Sequence, residues 1–247
     1  IEIEQVLADI ETLNRAAFEG RYELTAVSFH AYAYLVDRYA LLPHGASVGD
    51  GYGPIVVARR EEAARASLAG LTIAVPGELT TAFLVLRLYE PRVRWVVRPF
   101  DRIQQEVADG RVDAGLLIHE GQLTYGDDGL VRLVDLGAWW AERTGGLPLP
   151  LGANAIRRDV DPEAARTAAR LLRDSIAYAL AHRDEAIRYA RRFGRGLDEG
   201  RTDRFVGMYV NELTLDYGAR GRAAVRRLFD EAFAAGLLPS PIGVPEL

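Results

Sequence analysis

The stretch LTIAVPGELTTAFLVLRLY, residues 71–89, decides the fold. Its first part, residues 71–77, is a short apolar run that ends in Pro76-Gly77, which is typical of a buried strand. Apolar side chains then recur at helical spacing after Thr80 and Thr81, which predicts a helix beginning there. A buried strand that turns directly into a helix is the repeating unit of an α/β sheet covered by helices.

The same alternation extends to both sides of this stretch. On the C-terminal side, VRWVVRPF, RIQQEVADGR and DAGLLIHEG predict a strand, a helix and a strand. On the N-terminal side, the predicted elements are a strand in IEIEQVL, a helix capped by Asp9, a strand in YELTAVS, a helix in FHAYAYLVDRYALL and a strand in GYGPIVVARR. The repeated change from β to α favours parallel sheets covered by helices.

The order of these elements predicts two lobes rather than one sheet. A compact β/α block lies between an N-terminal block and a C-terminal part that is mostly helical, and a block inserted in this way requires two chain crossings. The predicted bounds are residues 1–68 and 156–247 for a large lobe and residues 69–155 for a small lobe. We place the crossings near residues 66–72 and 150–158, with a ligand cleft between the lobes.

Composition excludes several classes of function. The chain of 247 residues has a net charge of −5 and no long basic stretch, so nucleic acid is not an expected partner. It has no apolar run of about 18 residues, so membrane insertion is not expected. There is no cysteine and all 30 basic residues are arginine, which excludes thiolate and lysine chemistry from these residues. The four histidines lack metal-ligand spacing, so no metal site is predicted.

Two strand–turn–helix junctions are candidate anion sites. Ser28 stands at the start of the helix after YELTAVS, and Thr80 and Thr81 stand at the start of the helix after LTIAVPG. Backbone N–H groups at a helix N-terminus attract carboxylates, and a hydroxyl adds a further donor. The alternative is ordinary helix capping, which Ser and Thr favour in any protein. Their occurrence in both predicted lobes favours a shared anionic ligand.

His119 is the candidate base. It follows the apolar run Ala114–Ile118, and the C-terminal ends of parallel strands face the ligand crevice in sheets of this kind. Imidazole has an ordinary pKa near neutrality, which suits general-base catalysis. The alternative is a structural histidine. Alternation along the strand argues against the adjacent Glu120 as its direct partner.

Several of these stretches together resemble the 1,4-dihydroxy-6-naphthoate synthase family of the futalosine route to menaquinone. The resemblance runs in order along nearly the whole chain, and its most specific parts are IHE, TY and DLGAWWAERTGGLPLPLGA. It implies a two-lobed α/β fold of the type II periplasmic-binding-protein kind, with mixed sheets, adapted to catalysis in the cytoplasm. It also implies cofactor-independent cleavage of cyclic dehypoxanthine futalosine, a small anionic substrate, to 1,4-dihydroxy-6-naphthoate. The implied base is His119, and the implied substrate contacts are Ala26, Val27, Ser28, Thr80 and Thr81.

The family opens with a strand and a helix that carry an S-P-C-P-N-D-T motif, and no part of this sequence corresponds to it. We therefore expect that an N-terminal segment precedes the chain. Three alternatives remain open: a solute-binding protein of the same fold, the sister chorismate dehydratase, and an effector domain of a transcription factor. The IHE, TY and AWWAERTG stretches favour the naphthoate synthase.

Overall fold

The computed structural model describes residues 2–60, 67–192 and 199–243. Nine strands are assigned within these residues: β1 (Leu24–Ser28), β2 (Tyr39–Leu41), β3 (Ser47–Gly49), β4 (Ile55–Ala58), β5 (Thr72–Val75), β6 (Arg94–Val97), β7 (Ala114–Leu117), β8 (Val131–Asp135) and β9 (Leu149–Arg157). The helices in the same residues are α1 (Ile10–Phe18), α2 (Phe29–Tyr32), α3 (Thr81–Tyr89), α4 (Ile103–Ala108), α5 (Gly121–Thr124), α6 (Leu136–Thr144), α7 (Pro162–Ala181), α8 (Arg183–Ala190), α9 (Glu199–Tyr209), α10 (Glu212–Leu215) and α11 (Gly218–Ala234).

The strands form two sheets, and neither is purely parallel. In the first sheet, β9 pairs antiparallel with β1, β2 and β3. The second sheet has the order β6-β5-β7-β4-β8, in which β5 is parallel to β6 and β7 while β4 is antiparallel to β7 and β8. We call the first sheet with its helices the large lobe and the second the small lobe. The predicted class, an α/β fold with mixed sheets, is confirmed, whereas the simpler expectation of parallel sheets holds only for β5, β6 and β7.

Strand pairing corrects the predicted crossings. β4 belongs to the second sheet, so the chain enters the small lobe at residues 50–54, before the predicted boundary at residue 68. All of β9 belongs to the first sheet, so the chain returns at residues 145–148, before the predicted boundary at residue 155. The lobe boundaries were predicted wrongly because the sequence of a short apolar strand such as β4 does not indicate which sheet it will join.

Two predicted elements at the N-terminal side also differ. Residues 2–9 form no strand and are mostly exposed, because no other described strand pairs with them and alternation alone supplies no hydrogen-bond partners. The helix predicted over residues 29–42 is only α2, followed by turns and β2. The remaining predicted strands and helices described above are found near their expected positions.

The largest hydrophobic cluster of the described residues extends through both lobes. A single cluster joins Val27 and Phe29 of the large lobe, Ile73 and Leu84 of the small lobe, and Phe229 of α11. α3 lies between the lobes and contacts α2, α6, α11 and β9. α3 therefore packs against both lobes and holds the small lobe's sheet against the large lobe.

Candidate functional site

Three parallel strands end at one edge of the small lobe's sheet. β6, β5 and β7 are neighbours and run in the same direction, so their C-terminal ends lie side by side, with adjacent strands about 5 Å apart. The segments that follow these ends carry Phe100-Asp101 after β6, Thr80-Thr81 after β5 and His119-Glu120 after β7. In sheets of this kind the ligand crevice lies at this edge.

A cavity of about 170 Å³ opens at this edge beside His119. Its polar lining includes Asp101, Gln104, Glu120 and Thr124 together with His119. The imidazole is half-buried, and its ring packs against the ring of Phe100 with 4.3 Å between centroids. The Phe100 ring packs on one side of the imidazole, and the lining of the cavity offers a substrate both apolar and hydrogen-bonding surface.

Ser28, Thr80 and Thr81 are all nearly fully buried. Ser28 and Thr80 cap helices as the alternative interpretation expects, whereas Thr81 is the first residue of α3. The Ser28 hydroxyl accepts from the Ala31 amide at 3.0 Å, and the Thr80 hydroxyl accepts from the Phe83 amide at 3.2 Å. Each hydroxyl proton is also used internally. The acceptors are the carbonyl oxygens of Leu79 for Ser28 (2.5 Å), Gly77 for Thr80 (2.8 Å) and Leu151 for Thr81 (2.6 Å).

These bonds connect the two lobes at the turn before α3. Ser28 lies at the end of β1 in the large lobe, and its acceptor Leu79 lies in the small lobe. The backbone amide of His30 donates to the Thr81 hydroxyl at 3.2 Å. The two candidate anion sites predicted from the sequence are therefore brought into direct contact.

Ala26 and Val27 form the end of β1 rather than a turn, and they lie opposite Asn154 and Ala153 of β9. Val27 is fully buried in the shared core, so its side chain faces away from solvent. Contact between Val27 and a ligand would have to use its backbone.

Burial dominates the electrostatics beside this turn. It lowers the pKa of the His30 imidazole to about 4, and the charge of Arg87 acts in the same direction, while hydrogen bonds to the backbone of Thr80 and Glu78 oppose the change. Burial also raises the pKa of the Glu11 carboxyl, although its ion pair with Arg15 and the Leu79 amide favour the charged form. His30 is thus neutral at physiological pH.

Phe100-Asp101 and Asn14 were not predicted as site residues from the sequence. Phe100-Asp101 follow a predicted strand, so the rule that singled out His119 would have found them as well. Asn14 lies on the buried face of α1, and a polar residue at an apolar position of an amphipathic helix was a usable signal. Within residues 2–60, 67–192 and 199–243, no group of three His, Cys, Asp or Glu side chains is arranged to hold a metal ion. That the chain needs no metal remains a prediction.

The fold and the site define a two-lobed protein of the periplasmic-binding-protein type. A similar fold occurs in the alkanesulfonate-binding protein SsuA from Xanthomonas axonopodis pv. citri, with 16% identity, a TM-score of 0.65 and coverage of 94% of this chain and 82% of that chain. The family described as "Menaquinone biosynthesis" matches residues 1–234. The chain belongs to this menaquinone-biosynthesis family, as its resemblance predicted.

Two curated relatives and one crystal structure extend this result. A 1,4-dihydroxy-6-naphthoate synthase from Thermus thermophilus is 50% identical over 98% of this chain and 88% of its own length. One from Streptomyces coelicolor is 39% identical over 96% of this chain and 85% of its own. A crystallised protein from Archaeoglobus fulgidus is 54% identical, with a TM-score of 0.91 and coverage of 96% of this chain and 88% of that chain. The family is enzymatic, since its curated relatives are synthases.

None of the helices in the described residues is both long enough and apolar enough to cross a bilayer. Location in the cytoplasm remains a prediction.

Proposed function

We propose that the chain is a 1,4-dihydroxy-6-naphthoate synthase, a carbon–carbon lyase that converts cyclic dehypoxanthine futalosine to the naphthoate without a cofactor. The observation that carries this proposal is His119 beside a cavity with polar and apolar lining, at the edge where three parallel strands end, in a chain 50% identical to such a synthase. A reaction that begins with removal of a proton requires a base at the cleft, and His119 is the candidate.

In this proposal His119 removes the proton and the buried turns hold the substrate's carboxylate. Ser28, Thr80 and Thr81 present backbone amides and hydroxyls at the starts of two helices. A hydroxyl that turns from a carbonyl oxygen to a carboxylate exchanges a neutral hydrogen bond for a charge-assisted one, which is about twice as strong. In this proposal Ala26 and Val27, near the end of β1, contact the substrate through their backbone.

Two alternatives use the same fold differently. A solute-binding protein would bind a ligand at this edge without needing a base, so replacing His119 would alter binding and there would be no turnover to lose. The sister chorismate dehydratase would act on chorismate. Both curated relatives carry the name of the naphthoate synthase, which favours the proposed reaction.

The decisive experiment is the His119→Asn substitution, with product formation from cyclic dehypoxanthine futalosine followed by mass spectrometry. Asn keeps some hydrogen bonding but cannot serve as the base, so we expect turnover to fall by roughly 10²–10⁴-fold while substrate binding persists. The matched control is His182→Asn, because His182 is exposed at the junction of α7 and α8.

Two results would contradict the proposal. A parent protein that releases no naphthoate from this substrate is not the synthase. A His119→Asn variant that turns the substrate over at nearly the parental rate shows that the histidine is structural.

A further inference from the structure

The side chain of Asn14 is completely buried between the two turns of the proposed anion site. Its oxygen accepts from the Ser28 backbone amide at 2.9 Å. Since that amide can only donate, the orientation of the Asn14 side chain is fixed. Its nitrogen therefore faces the Ser28 hydroxyl at 3.2 Å and the Leu79 carbonyl oxygen at 3.5 Å.

The Ser28 hydroxyl has no bonding capacity left in this arrangement. A serine hydroxyl offers one proton and two lone pairs. The proton goes to Leu79, and the lone pairs accept from the Ala31 amide and from Asn14. For Ser28 to donate to a substrate carboxylate, its proton must leave the Leu79 carbonyl oxygen. That oxygen would then lose its short hydrogen bond in a partly buried place, which costs free energy unless another donor replaces it.

Asn14 is placed to be that replacement donor. Its amide nitrogen has two protons, and it already lies between the Ser28 hydroxyl and the Leu79 oxygen. A small approach from 3.5 Å would give the Leu79 oxygen a full hydrogen bond. The other polar group of Leu79, its amide, is held by the Glu11 carboxylate at 3.3 Å, so the turn itself stays in place during the exchange.

We propose that Asn14 is a positioning residue that releases the Ser28 hydroxyl to the substrate by taking over the Leu79 carbonyl oxygen. Asn14 does not touch the substrate, and its effect is on binding rather than on the proton transfer at His119. The inference rests on the proposed function, because it assigns Ser28 to the substrate's carboxylate.

The test distinguishes the role of the Asn14 side-chain oxygen, which accepts from the Ser28 amide, from that of its nitrogen, which donates. Asn14→Asp keeps an oxygen for the Ser28 amide but brings no amide protons, whereas Asn14→Ala removes both. The control is Asn211→Ala, since Asn211 also bonds backbone groups, namely the Leu213 amide and the Met208 oxygen, at the start of α10. KM and kcat are measured with cyclic dehypoxanthine futalosine. Hydrogen exchange is measured in peptides that cover residues 24–32 and 76–83, and melting temperatures are recorded for all variants.

We expect both Asn14 variants to raise KM about tenfold or more with little change in kcat, the size expected when one hydrogen bond to a charged group is lost. Exchange over residues 24–32 should increase in Asn14→Ala and remain near the parental rate in Asn14→Asp. Asn211→Ala should lower the melting temperature without changing KM.

An Asn14→Asp variant with parental KM overturns the inference, as does an equal rise of KM in Asn211→Ala. If the parent protein fails to turn over the substrate, the proposed function is overturned instead. Hydrogen exchange would still test whether Asn14 holds the Ser28 turn. Unchanged protection over residues 24–32 in Asn14→Ala would show that it does not.

Discussion

Single buried side chains determine how the two lobes meet. Leu79 offers one amide and one carbonyl oxygen, and Glu11, Asn14 and Ser28 of the large lobe bind both. His30 adds a bond from its backbone to Thr81. Fully hydrogen-bonded polar networks are rigid. The hydrogen bonds on Leu79 and Thr81 therefore hold the turn before α3 firmly against the large lobe.

The lowered pKa of His30 predicts how the stability of the protein depends on pH. Its folded pKa of about 4 lies below the ordinary value of 6.5, so the unfolded chain binds a proton more readily than the folded chain. The stability that neutral His30 contributes is complete above pH 6.5 and is lost as the pH falls from 6.5 toward 4. At about 1.4 kcal/mol per pH unit, the loss is on the order of 3 kcal/mol over the whole interval.

We therefore expect His30→Gln to flatten the dependence of the unfolding free energy on pH between about pH 7 and pH 4.5. Urea unfolding of parent and variant measures this, and the difference between them removes the contribution of the carboxyl groups. His182→Gln is the control at an exposed position. A variant that loses stability with acid as steeply as the parent would show that His30 is not the group responsible.

At the scale of elements, α6 lies against the backbone of the first crossing. A Cβ atom added to Gly137 would lie 2.0 Å from the carbonyl oxygen of Tyr52 and 2.3 Å from the nitrogen of Gly53. These neighbours are backbone atoms, which cannot rotate away as a flexible side chain would. Glycine at position 137 is therefore what allows α6 to pack on residues 50–54.

Gly137→Ala should accordingly destabilise the protein by about 1–3 kcal/mol or more, the usual cost of overpacking. The control is Gly126→Ala, because nothing lies within 4 Å of the added Cβ and the backbone there does not have a positive φ. We expect that control to change stability by less than about 0.5 kcal/mol. Urea unfolding measures both, and equal stabilities of the two variants would contradict the close approach of α6 to the crossing.

On the scale of the whole molecule, the shared core predicts that the lobes unfold together. All three tryptophans, Trp95, Trp139 and Trp140, lie in the small lobe, whereas the long helices α7 and α11 follow β9 of the large lobe. Tryptophan fluorescence thus reports mainly on one lobe and far-ultraviolet circular dichroism mainly on the other.

Because one hydrophobic cluster includes residues of both lobes, we expect the two signals to change with the same midpoint in urea. Two separate midpoints would show that the lobes are independent folding units and that α3 does not join them.

The sequence by itself determined the local elements and the candidate chemistry. The apolar run of β5, the caps of α1 and α3 and the position of His119 after β7 all depend on neighbours within a few residues, where periodicity and capping act. The family could also be predicted, because its specific stretches are continuous in the chain.

Only the tertiary structure decided which strands pair and which turns meet. β4 and β9 join sheets other than those expected, because a short buried strand has the same pattern in either sheet. The contact of Asn14 and Ser28 with Leu79 joins residues far apart in the chain, and no local pattern encodes it. Hydrogen bonds between distant segments form only after the lobes pack, so the way the candidate site is held together could not be derived from the sequence alone.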